Sequence, residues 1–471
     1  MDNNYDLILV GSSFASSFFL LEYLRRFGPD RRVLVLEWGR RRSHQENIES
    51  RRHSDFDFED IAHNPHPTKQ WVSNIVFGGN SNCWWACTPR MLPSDFELNS
   101  KYGVGVDWPI GYDDLEPFYA KAEQIMSVSG PDDGSPFPRS TPYPQPPHRF
   151  SEPDRVLKQA NPDTFFVMPT ARARVATKNR PACCATSTCH LCPIDAKFTV
   201  QNELAWLYED PRVELRLNAK VTHLELAAGV AKGVHYEKDG RTHRVAGDLI
   251  GLCANALMNP SILLRSGVSH PWVGGGLSEQ VSNSAKIYLD NLDAFQGSTS
   301  LTGHGYMLYD GMHRRERAAC LIEFSNKPVL RPEFGRWRQI LPVKLIYEDL
   351  PKLEHKIDID SGDGKPRTIF GRHSDYTQRA IDENRQLLAR AVSALPVESI
   401  EYEGQVSRTE AHILGTARMG TDPSTSVVDP GLTMHSHRNV LVLGGSAFPT
   451  CAPANPTLTI CALSLRAASM L

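Results

Sequence analysis

Towards its C-terminal end the chain reads His412-Ile-Leu-Gly415-Thr416-Ala-Arg-Met-Gly420, then Gly444-Gly445-Ser446, then Asn455-Pro456-Thr457. Leu458, Cys461, Ala462 and Leu465 follow as the apolar stripe of a helix. Imidazole is the side chain whose ordinary pKa lies near neutral, so His412 can take a proton from a hydroxyl at working pH. Paired glycines allow a close backbone pass, and Asn followed by Pro is a strong N-cap and first-turn pair. A base, a tight pass and a helix N-terminus are what a flavin ring needs around it when an alcohol gives up a proton and a hydride. His412 is the expected base, with His435 and His437 next in line.

A second constellation opens the chain. Tyr5 to Val10 is a short apolar strand, Gly11 to Ser17 a turn of small residues, Phe18 to Phe27 a helix, and Val33 to Glu37 a second buried strand. This is the βαβ unit of a dinucleotide-binding fold. Gly11-Ser12-Ser13-Phe14-Ala15-Ser16 stands where GxGxxG is expected, with Ser13 and Ser16 at the second and third glycine positions; their hydroxyls can donate to a phosphate. Glu37, at the end of the second strand, is placed to accept from ribose hydroxyls.

Cysteines form the third. Cys183, Cys184, Cys189 and Cys192 fall within ten positions, followed by Pro193. Thiolates this close can ligate an iron–sulfur cluster; CxxC with a further thiolate and His190 is a plausible zinc set; unligated thiols are the remaining reading.

The rest of the chain bounds these readings. Its 471 residues exceed one ordinary domain, and a net charge of −3 without a long basic run asks for neither nucleic acid nor an anionic membrane. The basic groups at Arg25-Arg26, Arg31-Arg32 and Arg40-Arg41-Arg42 read as a solvated face. Met1 to Tyr5 lead straight into a strand with no secretory signal, and no apolar run reaches the roughly 18 to 20 residues of a membrane helix. A reducing, cytoplasmic location is expected, with periplasmic export alongside a partner subunit as the alternative. Ser135 to Pro147 is a Pro-rich surface connector. Val213 to Leu217, Val221 to Leu226 and Gly247 to Cys253 read as strands; Gln339 to Tyr347 and Lys356 to Ile359 suggest an antiparallel sheet. The expected fold class is α/β: a Rossmann-like FAD-binding domain from residues 1–280 and 406–471, interrupted at 281–405 by a mostly antiparallel substrate domain.

Across nearly its whole length the chain resembles the glucose-methanol-choline (GMC) oxidoreductases. The likeness is carried by the N-terminal βαβ, Phe77-Gly78-Gly79-Asn80-Ser81-Asn82-Cys83-Trp84, Asp107-Trp108-Pro109-Ile110, Ala254-Asn255-Ala256 before Leu263 to Gly267, and the His412 and Asn455 segments. Thr88-Pro89-Arg90 and the Gly-Gly-x-Ser-x-x-Trp pattern look closest to the pyranose oxidase and sugar dehydrogenase branch. The resemblance implies that Gly78, Gly79 and Asn82 pass the flavin ring, that Val221 and Ala254 lie beside the nucleotide, and that Gly444 and Gly445 lie by the diphosphate and ribityl chain. It places Cys83 where some relatives bind flavin covalently through histidine. It also makes Asn455 the hydrogen-bond partner of the substrate hydroxyl, with Pro456 and Thr457 at the helix end facing the flavin. Relatives among bacterial sugar dehydrogenases hold a [3Fe-4S] cluster in a similar Cys segment, with one more residue in the last spacing than the CxxC here. The implied activity is oxidation of an alcohol, a sugar or polyol, with electrons passed to a cytochrome, quinone or redox protein. An oxidase making hydrogen peroxide, a lyase with structural flavin and a flavin-poor interaction protein are the alternatives.

Overall fold

The computed structural model describes residues 4–471; Met1 to Asn3, read above as leading directly into the first strand, lie outside the described residues. Strand β1 (Asn4–Val10) is flanked by β2 (Val33–Leu36) and β7 (Arg241–Leu252), with β4 (Val213–Arg216) outside β2 and β15 (Val440–Val442) beside β7, all parallel. The first half of β7 pairs antiparallel with β6 (Val230–Lys238), which pairs with β5 (Lys220–Ala227). β7 is therefore longer than the expected Gly247 to Cys253. Within this one seven-stranded sheet its C-terminal end pairs in parallel and its beginning antiparallel.

Helix α1 (Phe14–Arg26) begins four residues before the expected Phe18. Periodicity starts at Phe18, but Ala15, Ser16 and Ser17 are small enough to pack at the head of the helix and are fully covered. α1 packs on the last helix, which in turn packs on α2 (Tyr112–Met126). Parallel strands buried on both faces account for the uninterrupted apolar runs at 7–10 and 33–36. Arg42, expected on a solvated face, is instead buried and donates to Asn47, Ser50 and Asp55.

The second sheet is antiparallel and six-stranded. Its order is β14 (Val397–Tyr402), β8 (Val281–Leu289), β11 (Ile340–Tyr347), β10 (Cys320–Ser325), β9 (Leu301–Leu308) and β3 (Phe165–Val167). Two boundaries depart from the expected domain limits. β3 comes from within residues 1–280 yet completes the second sheet, because Phe165 and Leu157 join that sheet's core rather than the first. Conversely, β12 (Lys356–Ile359) and β13 (Pro366–Ile369) form a separate ribbon whose Ile357 packs with Leu257 and Met258 of α3 (Asn255–Arg265), on the nucleotide-binding side. The expected mostly antiparallel, α+β region also contains α4 (Asp375–Ala391), whose Tyr376, Ala380 and Leu388 cover one face of the second sheet. Between Ser135 and Pro147 the chain forms no regular element, as proline's missing donor and fixed φ require.

Candidate active site

The His412 segment is held by two neighbours. On one side Gly415, Ala417 and Met419 donate backbone hydrogen bonds to Gly445, Ser446 and Ala447. On the other, Ser278 and Leu414 form an antiparallel bridge with hydrogen bonds in both directions. Gly415 is obligatory there: its φ is +73° and a Cβ would lie 2.1 Å from the Gly276 carbonyl oxygen. Counting two residues from the bridge in each direction sets Gln280 opposite His412.

Gln280 was not visible as a functional residue in the sequence, and the reason it matters is geometric. Its amide nitrogen donates to the Ala452 and Ala454 carbonyls at 2.6 and 2.8 Å. Its Oε1 therefore faces His412 and accepts from Nδ1–H at 2.5 Å. The proton is fixed on Nδ1, which leaves the Nε2 lone pair free to act as base. Glu279, fully buried, accepts from the His412 backbone N–H at 2.9 Å and from Glu410 N–H and the Thr409 hydroxyl, and pairs with Lys69. Burial lowers the His412 pKa; Glu410 and Glu279 oppose that without reversing it. The imidazole is neutral at neutral pH.

Asn455 follows directly on the loop that Gln280 grips. The final helix, α5, is assigned to Thr457–Ser469, with Pro456 already in α-helical dihedrals. The expected side-chain cap is absent: Asn455 Oδ1 is buried without a hydrogen-bond partner. An amide oxygen left unpaired in the interior costs about 1–3 kcal/mol, so the position is suited to a ligand rather than to the helix. His435 and His437, the reserve candidates, bond locally to Ser426 and Ser436.

At the head of α1 lies a cavity enclosing about 660 Å³ of empty space, part of it open to solvent. Gly11, Ser13, Glu37, Gly79, Val221 and Ala254 all line it, six of the residues expected to contact a nucleotide. Glu37 accepts from the Ser12 hydroxyl and Gly39 N–H, both at 2.7 Å, while burial pushes its pKa up to about 7. The degraded glycine pattern has a partner elsewhere: at Gly79, φ is +51° and a Cβ would stand 2.8 Å from that of Ser13. The serine is thus accommodated by a glycine in the opposing loop. Ser13 makes no side-chain cap and Ser16 Oγ is buried without a partner, leaving the N-terminus of α1 with donors to offer. These features fit the adenosine and diphosphate of FAD.

Gly78 donates its N–H to Ser12 Oγ, and Asn82 closes its own loop through Phe77 and Gly79 carbonyls. Gly444, at φ +87°, approaches Ala15. Cys83 receives a hydrogen bond from the Asn74 amide, and burial raises its thiol pKa. Val221 sits on β5 and Ala254 just before α3. Pro456 is buried and Thr457 half-buried at the head of α5.

The four clustered cysteines separate into three and one. Cys184 is exposed, whereas Cys189 is buried and bonded to the Ser300 hydroxyl at 2.9 Å, and Cys183 lies 3.5 Å from the adjacent Thr299 hydroxyl. Cys192 accepts from Ala196 N–H. Thiols of one tetrahedral zinc lie within about 4 Å of one another. Among the described residues no three of these ligands come within 4.8 Å, so the zinc set is not assembled; the group that does is His63, Asp360 and Asp363.

Two cations found only through the structure stand around these thiols. Arg172, 2% exposed, donates to Thr299, the Trp85 carbonyl and the Leu301 carbonyl; Lys197, also 2% exposed, donates to the carbonyls of Asn82, Trp84 and His190. Neither has a carboxylate partner among the described residues. Burial opposes the charge on Arg172, and the thiols of Cys189, Cys87 and Cys183 outweigh it; burial pushes Lys197 down to about 8. Buried, unpaired cations are costly. Each of the two is held by three neutral oxygen acceptors.

Residues 366–464 match a family model described as GMC oxidoreductase. The chain is 26% identical to the fructose dehydrogenase large subunit of Gluconobacter japonicus, with 98% of this chain and 97% of that one covered. It is 29% identical to 6'''-hydroxyparomomycin C oxidase of Streptomyces lividus, covering 84% and 78% respectively. Among solved structures it resembles pyridoxine 4-oxidase from Mesorbium loti, with a TM-score of 0.70, 18% identity and 99% of both chains covered.

Proposed function

We propose that this chain is a GMC oxidoreductase, an FAD-binding enzyme that acts on CH–OH groups, and that it is a dehydrogenase converting a sugar or polyol carbinol to the carbonyl. The observation that carries this is the Gln280 bridge, which ties the base at His412 to the loop of the unpaired Asn455 amide.

Bound FAD supplies the hydride acceptor. His412 Nε2 takes the hydroxyl proton while Gln280 holds the opposite nitrogen protonated. Asn455 orients the hydroxyl, and the N-terminus of α5 favours negative charge before it. Gly11, Ser13, Ser16, Glu37, Gly79, Val221 and Ala254 would hold the nucleotide, with Gly78, Asn82, Gly444 and Gly445 around the remainder. Cys83, kept as a thiol by burial, supports non-covalent FAD. Acid precipitation should therefore release the yellow colour to the supernatant; colour retained in the pellet would show a covalent bond.

Cys183, Cys189 and Cys192 are the residues that would hold an iron–sulfur cluster, with Arg172 and Lys197 balancing its charge. A cluster gives electrons a route to an external acceptor, a cytochrome, quinone or redox protein, and a relative described as a large subunit supports an enzyme with partner subunits. The similarity to a protein named as an oxidase favours the second reading, oxygen as acceptor.

The decisive experiment is anaerobic mixing with a panel of sugars, polyols and simple alcohols, following the visible flavin band. Bleaching by at least one sugar or polyol is expected. A band untouched by every alcohol would refute CH–OH oxidation. Vigorous peroxide formation in air would replace the dehydrogenase reading with the oxidase one.

A further inference from the structure

The second sheet carries a polar row that the base and its bridge do not use. Strand register places His304 on β9, Glu323 on β10 and Lys344 on β11 opposite one another, so their side chains share one face. On β10, Cys320, Ile322 and Phe324 enter the core covered by α4, whereas Leu321, on the same side as Glu323, joins the core of the nucleotide-binding half. The row faces that half. Lys344 extends the link by donating to Glu410, two residues before the base, at 2.6 Å. Lys344 and His412 are both half-buried.

Glu323 is 6% exposed, and its Oε1 is buried without a hydrogen-bond partner. His304 Nε2 stands 3.5 Å from that oxygen, at ion-pair distance but outside hydrogen-bond geometry. The Tyr306 hydroxyl, one step along the same face of β9, is also buried without a partner. Burial alone would push the Glu323 pKa up; His304, Lys344 and His412 outweigh it and hold the carboxylate below its usual range. A buried anion with an unfilled acceptor is stabilised by whatever brings a donor to it. Lys344 opposite makes a second cation a poor fit and a neutral hydroxyl a good one.

We propose that Glu323 selects the substrate: its carboxylate accepts a hydrogen bond from a hydroxyl neighbouring the carbinol that His412 deprotonates, so polyhydroxylated compounds are preferred over simple alcohols. His304 positions the carboxylate, and Tyr306 lies where a second hydroxyl can meet it. The assignment rests on the reading of the site as a CH–OH oxidoreductase.

The test compares Glu323→Ala and Glu323→Gln holoenzymes with the unsubstituted enzyme on D-sorbitol, D-fructose, D-glucosamine and 1-butanol. The kcat/KM ratio of the best polyol or sugar to 1-butanol should fall at least about tenfold in Glu323→Ala, mainly through KM, with Glu323→Gln between the two. Binding is read separately by calorimetry of D-sorbitol and D-fructose on the His412→Ala holoenzyme. There, adding Glu323→Ala should weaken affinity by a similar factor. A ratio and an affinity unchanged within about twofold would overturn the proposal, as would a loss confined to D-glucosamine, which would make the donor an ammonium group. Where Glu323→Ala does not fold, the isosteric Gln variant decides. Sugars that bind through Glu323 without bleaching the flavin would sink the oxidation reading and leave the subsite standing; bleaching with an unaltered ratio would do the reverse.

Discussion

Replacing His412 with alanine is expected to lower kcat by about 10²- to 10⁴-fold, the usual worth of a positioned general base, while the purified protein keeps its flavin. Flavin is retained because the nucleotide cavity at the head of α1 uses none of the residues around His412. The pH profile carries the sharper signature. Only neutral imidazole accepts a proton, and burial holds its pKa below the ordinary 6.5. Activity is therefore lost as pH falls through a value under 6.5, and it stays on the plateau above that value as far as this group is concerned. Gln280 separates positioning from bulk: Gln280→Glu places a carboxylate on Nδ1, which favours imidazolium and moves the acid limb to higher pH. A His412→Ala enzyme with full turnover, or an acid limb indifferent to Gln280→Glu, would mean that the base lies elsewhere.

The second large effect concerns iron. In anaerobically prepared protein, replacing Cys183, Cys189 or Cys192 with serine should lower iron per flavin to background and remove the associated visible absorption, whereas Cys184→Ser leaves both in place. The asymmetry follows from position: Cys184 is exposed, and the other three lie near Arg172 and Lys197, which are buried without a carboxylate partner among the described residues. Iron is measured by metal analysis. Stoichiometric zinc in its place, iron absent from the unsubstituted protein, or iron lost from Cys184→Ser would each defeat the assignment. The expected drop is near total, because removing one of three protein ligands leaves the buried cations facing an incomplete anion.

Much of the nucleotide-binding half was legible because its signals are local. A strand, a small-residue turn and an acidic strand end sit within about 30 residues, and backbone sterics give that order one meaning. Gly11, Ser13, Glu37, Gly79, Val221 and Ala254 duly converge on one cavity. What local patterning missed was register and pairing. Helix α1 starts early because its first turn packs small residues, and β3 crosses to the other sheet through the packing of Phe165.

By itself the sequence determined the family likeness and the α/β class and singled out His412 as the expected base, since these depend on residue type and short spacing, both written directly in the chain. The tertiary structure decided the protonation of that histidine, the unpaired state of Asn455, the split among the cysteines and the polar row at Glu323. These depend on which residues far apart in sequence meet: Gln280 meets His412 across 132 positions, and Arg172 meets Thr299 across 127. Hydrogen bonds and buried charges act through space, and no periodicity along the chain records which distant partner closes them.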